Sequence, residues 1–192
     1  GGAGGLGGSG GGGSVHLPLV ADWQAVASGS GQSFTGGTAI DSSGAVVTTG
    51  TFSGAIDFGC GTLNAADTDI FVVKYDLLGN CIWNKRFGDS NNQIAARVAI
   101  DNGDNIILAG TFIGSVNFGG GQLQSTGNQF TDAYLAKLNA GGGHVWSQRF
   151  GDINSQEGHD VATGPGGAIA LVGMFQNQMD LGGGALSTSG GR

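Results

Sequence analysis

Proline is almost missing from this 192-residue chain, charged residues make up only 11% of it, and cysteine occurs twice. Each scarcity excludes something. With 42 glycines but only Pro18 and Pro165, and with no Gly-X-Y period, a collagen-like triple helix is ruled out. Seven Lys and Arg against fourteen Asp and Glu, a net charge of −7, leave no basic patch to neutralise phosphates, so neither nucleic acid nor an anionic membrane surface is an expected partner. No apolar run approaches the roughly 18 residues of a membrane-crossing helix, so no transmembrane segment is expected. No stretch keeps a 3.6-residue apolar period over a useful length, which argues against helices. The chain begins with Gly and carries no signal peptide, and reads as a processed chain or a fragment.

What is present is organised. Apolar residues amount to 39% and fall in short runs, the composition of a chain that buries a core. Trp23, Trp83 and Trp146 lie 60 and 63 residues apart, and each precedes a Gly-x-Phe step by 27 residues, at Gly50, Gly110 and Gly173. Asp57-Phe58-Gly59-Cys60-Gly61-Thr62-Leu63 matches Asn117 to Leu123 and Asp180 to Leu186. Asp69-Ile70-Phe71-Val72-Val73-Lys74 matches Asp132 to Lys137, and 14 residues after each aspartate comes the Trp, followed by Arg86-Phe87-Gly88-Asp89 or Arg149-Phe150-Gly151-Asp152. The difference between 60 and 63 lies entirely between Leu63 and Asp69 or Leu123 and Asp132, so a surface loop is expected there.

Each unit reads as four short strands. The first ends at Ile40 or Ile100, the second covers Ala45–Phe52, Ile106–Phe112 or Ala168–Phe175, the third Ile70–Tyr75 or Ala133–Leu138, and the fourth surrounds Trp83 or Trp146. Ser42-Ser43-Gly44 and Asn102-Gly103-Asp104-Asn105 supply turn chemistry between the first two. The expected fold is all-β: tandem four-stranded antiparallel blades of a β-propeller, in an incomplete, open set of about three. A β-solenoid is the main rival, although its coils are usually shorter. The chain divides into a Gly/Ser-rich tether (1–14), an N-terminal strand and degenerate first unit (15–37), blade repeats at 38–97 and 98–160, and a partial repeat at 161–192. The tether reads equally well as a spacer or as a disordered end.

The ordered set Gly-x-Phe, Asp-Phe-Gly-x-Gly-x-Leu, Asp-x-Phe-x-x-Lys and Gly-x-x-x-Trp-x-x-x-Phe-Gly-Asp resembles the SBBP-type β-propeller repeat, over about residues 19–192. The resemblance implies a secreted or cell-surface protein of bacteria, in a Gly-rich form like that of myxobacteria, and implies no single activity. The first copy departs from the pattern, with Trp23 to Gly29 lacking the Arg-Phe-Gly-Asp step.

Cys60 and Cys81 belong to one unit, whose neighbours carry Gly120 and His144 at those positions. A disulfide accounts for their joint appearance and points to an oxidising compartment; two buried free thiols are the alternative. No Cys-x-x-Cys is present, so zinc and redox motifs are not supported. The G-x-G-x-x-G match at Gly2 to Gly7 and the partial nucleophile-elbow match at Gly7 to Gly11 sit in a low-complexity tail without the strand and helix those motifs need. Glu157-Gly158-His159-Asp160 reads as a solvated loop, with no nucleophile or second base beside it. Carboxylates recur at Asp41 and Asp101, Asp57 and Asp180, and Asp69 and Asp132. Without an Asp-x-Asp-x-Asp-Gly loop they read as Asx-turn acceptors rather than calcium ligands.

No catalytic residue, metal site or cofactor is expected. Groups that recur in every unit serve the unit, so binding is sought where units differ, in the longer loop holding Thr126, Asn128, Gln129 and Phe130. The expected function is a non-enzymatic extracytoplasmic propeller module for interaction or surface architecture, with an unknown protein or glycan as partner. Two alternatives are a non-catalytic propeller region of a larger secreted enzyme and a structural protein that self-associates through unpaired sheet edges.

Overall fold

A computed structural model describes residues 23–127 and 129–188. The Gly/Ser-rich tether, the start of the degenerate first unit and the last four residues lie outside them. The described chain is all-β apart from one 3₁₀ turn, Pro165–Gly167.

The first sheet is a four-stranded antiparallel meander of β2 (Gln32–Ile40), β3 (Val46–Asp57), β4 (Thr62–Tyr75) and β5 (Cys81–Phe87), with the two-residue β1 (Ser28–Gly29) paired to the end of β3. The second sheet repeats the meander with β6 (Gln93–Ile100), β7 (Ile106–Phe112), β10 (Asp132–Leu138) and β11 (His144–Phe150). Between β7 and β10 it carries a small hairpin, β8 (Ser115–Asn117) with β9 (Gln122–Gln124). The third unit contributes β12 (Gln156–Thr163) paired with β13 (Ile169–Phe175), and the hairpin of β14 (Gln178–Asp180) and β15 (Ala185–Ser187). Two blades are thus complete and a third is half present among the described residues.

Strand alternation places apolar residues on both faces of each sheet, and the sheets stack through them. In β7, Ile106, Leu108 and Phe112 face the first sheet, where they pack with Val47, Ile70, Val72 and Phe87. The interleaved Ile107 and Ala109 face the third unit, with Val161 and Met179. The other face of the first sheet buries Phe52, Phe71, Val73 and Tyr75 under Trp23, which lies 5.6 Å from the Tyr75 ring. Each Trp packs forward onto the next unit. Trp83 Nε1 donates to the Ala140 carbonyl at 3.3 Å, and Lys74 Nζ donates to the same oxygen at 3.2 Å.

The first strand of every unit carries a β-bulge at the same place, at Gly36, Ala96 and His159, opposite Gly50, Gly110 and Gly173. These bulged strands adjoin one another, as the Arg97 Nη1 bond to the Gly36 carbonyl (2.5 Å) shows, so they form the side on which the units converge. The glycine of Gly-x-Phe is dictated here. A Cβ on Gly110 would sit 2.1 Å from the Ile94 carbonyl oxygen and 2.6 Å from Tyr134 Oη; one on Gly50 would meet the Phe34 carbonyl at 2.2 Å and the Phe71 ring at 2.6 Å.

In the second unit the described residues between β9, which ends at Gln124, and β10, which starts at Asp132, form no strand, as expected of the longer connection. In the first unit Leu63 to Asp69 instead stays within β4, because β3 and β4 run on past Gly54 as one long, bulged pair. Glu157 to Asp160, expected in a loop, lies inside β12; the bulge at His159 turns two successive side chains to solvent and hides the alternation.

Gly110→Ala is expected to destabilise the fold by about 2 kcal/mol or more, since backbone blocks the methyl group on one side and a buried ring on the other. Gly183→Ala, where a Cβ meets nothing within 4 Å, should change stability by no more than about 0.5 kcal/mol. Urea unfolding of the two variants compares them directly.

Candidate functional site

The recurring polar residues hold the blades together. At one end of each sheet an aspartate follows the first strand and accepts the amides of its own turn: Asp41 from Ser43 and Ala45, Asp101 from Gly103 and Asn105, all at 2.8–3.0 Å. Each also pairs with the lysine of the third strand, Lys74 at 2.8 Å and Lys137 at 2.7 Å. Burial alone would push these carboxyls up. The lysine ammonium and the turn donors outweigh it and hold both at about 2, below the ordinary 3.8.

At the other end, Asp69 and Asp132 are fully buried and pair with Arg86 at 2.7 Å and Arg149 at 2.5 Å. Gly88 and Gly151 are needed beside them, because a Cβ there would lie 2.2 or 2.3 Å from the carboxylate oxygen. Burial, only partly offset by the Ala66 amide and Arg86, raises the Asp69 carboxyl above its usual range. Asp57, Asn117 and Asp180 each accept amides two and four residues on, at 2.7–3.3 Å, the Asx-turn geometry.

One recurring device has no counterpart in the sequence reading. Gln93 and Gln156, both fully buried, sit at the start of the first strand and exchange hydrogen bonds with Asp89 and Asp152 in the connection between units. The Asp89 carboxylate continues to the amide and hydroxyl of Ser115 at 2.9 and 2.6 Å. The signal for it is a glutamine four residues after the aspartate of each Phe-Gly-Asp.

Of the loop candidates, Thr126 is drawn into the framework: its amide donates to Asp132 Oδ2 at 3.0 Å, and its hydroxyl meets Arg149. Gln129 and Phe130 are exposed, with the Phe130 ring over Gly127. Asn128 lies outside the described residues.

Two further surfaces arise only where units meet. A groove of about 580 Å³ runs between the chain after Trp23 and the first sheet, lined by Ala25, Val26, Asp57, Gly59, Asn80 and Cys81. Its counterpart between the first and second sheets, about 610 Å³, is lined by Lys85, Arg86, Asn117, Gly119, Gly143 and His144. These are the same positions in the repeat, two and three residues after the Trp on one wall, and the hairpin tip with the following turn on the other. Their chemistry differs. In the first groove, Cys60 and Cys81 form a disulfide with Cα atoms 5.6 Å apart, linking the β3–β4 turn to β5. In the second, the His144 imidazole lies over Gly120, where a Cβ would be 1.9 Å from its Cε1, and its Nε2 is 3.1 Å from Ser147 Oγ.

Lys74, Arg86, Arg97, Lys137 and Arg149 each lie in an ion pair. Among the described residues Lys85 is the basic side chain outside one. Its stem lies across Gly142, where φ is +77° and a Cβ would be 2.4 Å from Lys85 Cε.

No protein-family model matches the chain. It is similar to an uncharacterized WD repeat-containing protein of Acanthamoeba polyphaga mimivirus, 29% identical over 134 residues, which is 62% of this chain and 10% of that protein. The chain thus matches about a tenth of the length of that relative. The likeness agrees with the tandem four-stranded sheets of a propeller-like fold.

Acid should unfold the protein through Asp41 and Asp101. Their folded values near 2 lie below the ordinary 3.8, so the stability they contribute is present above about pH 4 and is lost as pH falls toward 2. Asp69, shifted upward, acts in the opposite direction. In the double variant Asp41→Asn/Asp101→Asn, the drop in melting temperature between pH 4 and pH 2 should be clearly smaller than in the parent, although the variant is less stable at pH 7.

Proposed function

We propose that the chain is a non-enzymatic, extracytoplasmic propeller module of the SBBP type, working in interaction or surface architecture. The observation that carries this reading is the division of labour among its polar groups. The charged residues that recur from unit to unit pair with one another or close turns, and chemical variety is confined to the grooves and loops between units. That is the economy of a scaffold whose surfaces recognise something. The likeness to a WD repeat-containing protein supports an interaction role. The Cys60–Cys81 bond supports an oxidising compartment, where such bonds persist. A propeller region within a larger secreted enzyme is the same reading with the chemistry placed elsewhere in the polypeptide.

The compartment is tested by alkylating the protein in its native source before and after reduction. Two cysteines labelled only after reduction are expected; labelling of both without reductant overturns the extracytoplasmic reading. Cys60→Ala/Cys81→Ala should lower the unfolding free energy by about 3 kcal/mol, the chain-entropy value for a loop of this length.

Self-association is favoured by a second observation. Ala170, Val172 and Met174 on β13 are exposed, whereas their equivalents Ile107, Ala109 and Thr111 are buried beneath the third unit. A face built for burial takes a cover, and a further unit, on this chain or another copy, fits it. Sedimentation of the chain should show concentration-dependent association that Met174→Lys reduces. A strictly monomeric chain at high concentration removes this second reading.

A further inference from the structure

From the groove between the first and second sheets we infer that it is a binding site for the carboxylate of an acidic sugar. This deepens the interaction-module reading and rests on it.

The argument starts from what differs between two grooves of one design. Moving from the first to the second, every change of charge has the same sign: Ala25 becomes Lys85, Val26 becomes Arg86 and Asp57 becomes Asn117, while Cys81 gives way to the imidazole of His144. The chain as a whole has net charge −7, so a carboxylate-free, basic groove runs against its composition. Arg86 is already committed, to Asp69 at 2.7 Å and to the Asn64 and Gly88 carbonyls at 3.2 and 3.3 Å. Lys85 is not. Its ammonium lacks the carboxylate that the other described basic side chains have, and its stem is held against Gly142, which lowers the cost of ordering it around a ligand. His144 stands on the opposite wall as a second polar contact. One free cation beside an imidazole matches a singly charged carboxylate better than a doubly charged phosphate.

The walls point to a hydroxylated carrier. About 610 Å³ is the size of a small-ligand site. Gly119, Gly142 and Gly143 leave backbone accessible in it, while Phe87 and Phe118 are buried in the core behind, so no apolar side chain is offered to anchor a peptide.

The test is titration of the full chain with sodium glucuronate, followed by calorimetry and by NMR of the Lys85, Asn117 and His144 resonances, with glucose and inorganic phosphate as comparison ligands. Saturable binding of glucuronate is expected, with shifts confined to this groove, and at least tenfold weaker binding of glucose and of phosphate. Two variants take residues the repeat already tolerates: Lys85→Gln installs the residue found at Gln148, and Asn117→Asp the residue found at Asp57 and Asp180. Each should keep the parental melting temperature and weaken glucuronate binding at least tenfold. The inference is overturned if glucose binds as well as glucuronate, if phosphate binds in its place, if none of the three binds, or if folded Lys85→Gln retains its affinity. None of these outcomes touches the interaction-module reading, which stands or falls on the state of the cysteines and on partners at other surfaces.

Discussion

A four-stranded sheet with apolar side chains on both faces has no stable existence alone in water; it must be covered twice. Everything else in this protein follows from that constraint. It sets the identity of residues alternately for the sheet in front and the sheet behind, as in Ile106, Ile107, Leu108 and Ala109. It also explains why each Trp reaches forward. Trp23 covers the first sheet's outer face as Trp83 covers the second's, so even a unit lacking the Arg-Phe-Gly-Asp step contributes the contact its neighbour needs.

Within each sheet, hydrogen bonds alone would let strands slip by two residues. The polar framework fixes the strand register at both ends. Asp41–Lys74 and Asp101–Lys137 close one end, and Asp69–Arg86 and Asp132–Arg149 the other. At the second end the carboxylates are fully buried while the guanidiniums stay partly exposed, and the desolvation of such a carboxylate makes the pair a poor source of net stability. Their value lies in geometry: a carboxylate that can meet its guanidinium in one alignment only, with glycine beside it, leaves a single way to join the third and fourth strands.

The repeat, the four main strands and the joint placement of the cysteines were legible in sequence because each rests on residues a fixed distance apart: Trp to Gly, Asp to Trp, Cys60 to Cys81. The small hairpins were not, since a three-residue strand such as Ser115–Asn117 between glycines shows no alternation. Nor was the strand character of Glu157 to Asp160, where a bulge breaks the period and Gly158 sits inside the strand. The grooves were the least legible of all. Lys85, Asn117 and His144 each look like ordinary repeat variation until two units are stacked. The loop around Thr126 differs from its counterpart in length, which a sequence shows; these positions differ in charge across a junction, which it does not.

The disulfide gives the array a direction. Three units of one design would be near equals in their resistance to opening, each held only by its neighbours. With a covalent link in the first alone, that equality is gone. Its β3–β4 turn and β5 stay joined after their hydrogen bonds have broken, so this unit keeps a closed loop when its sheet opens, and the others do not.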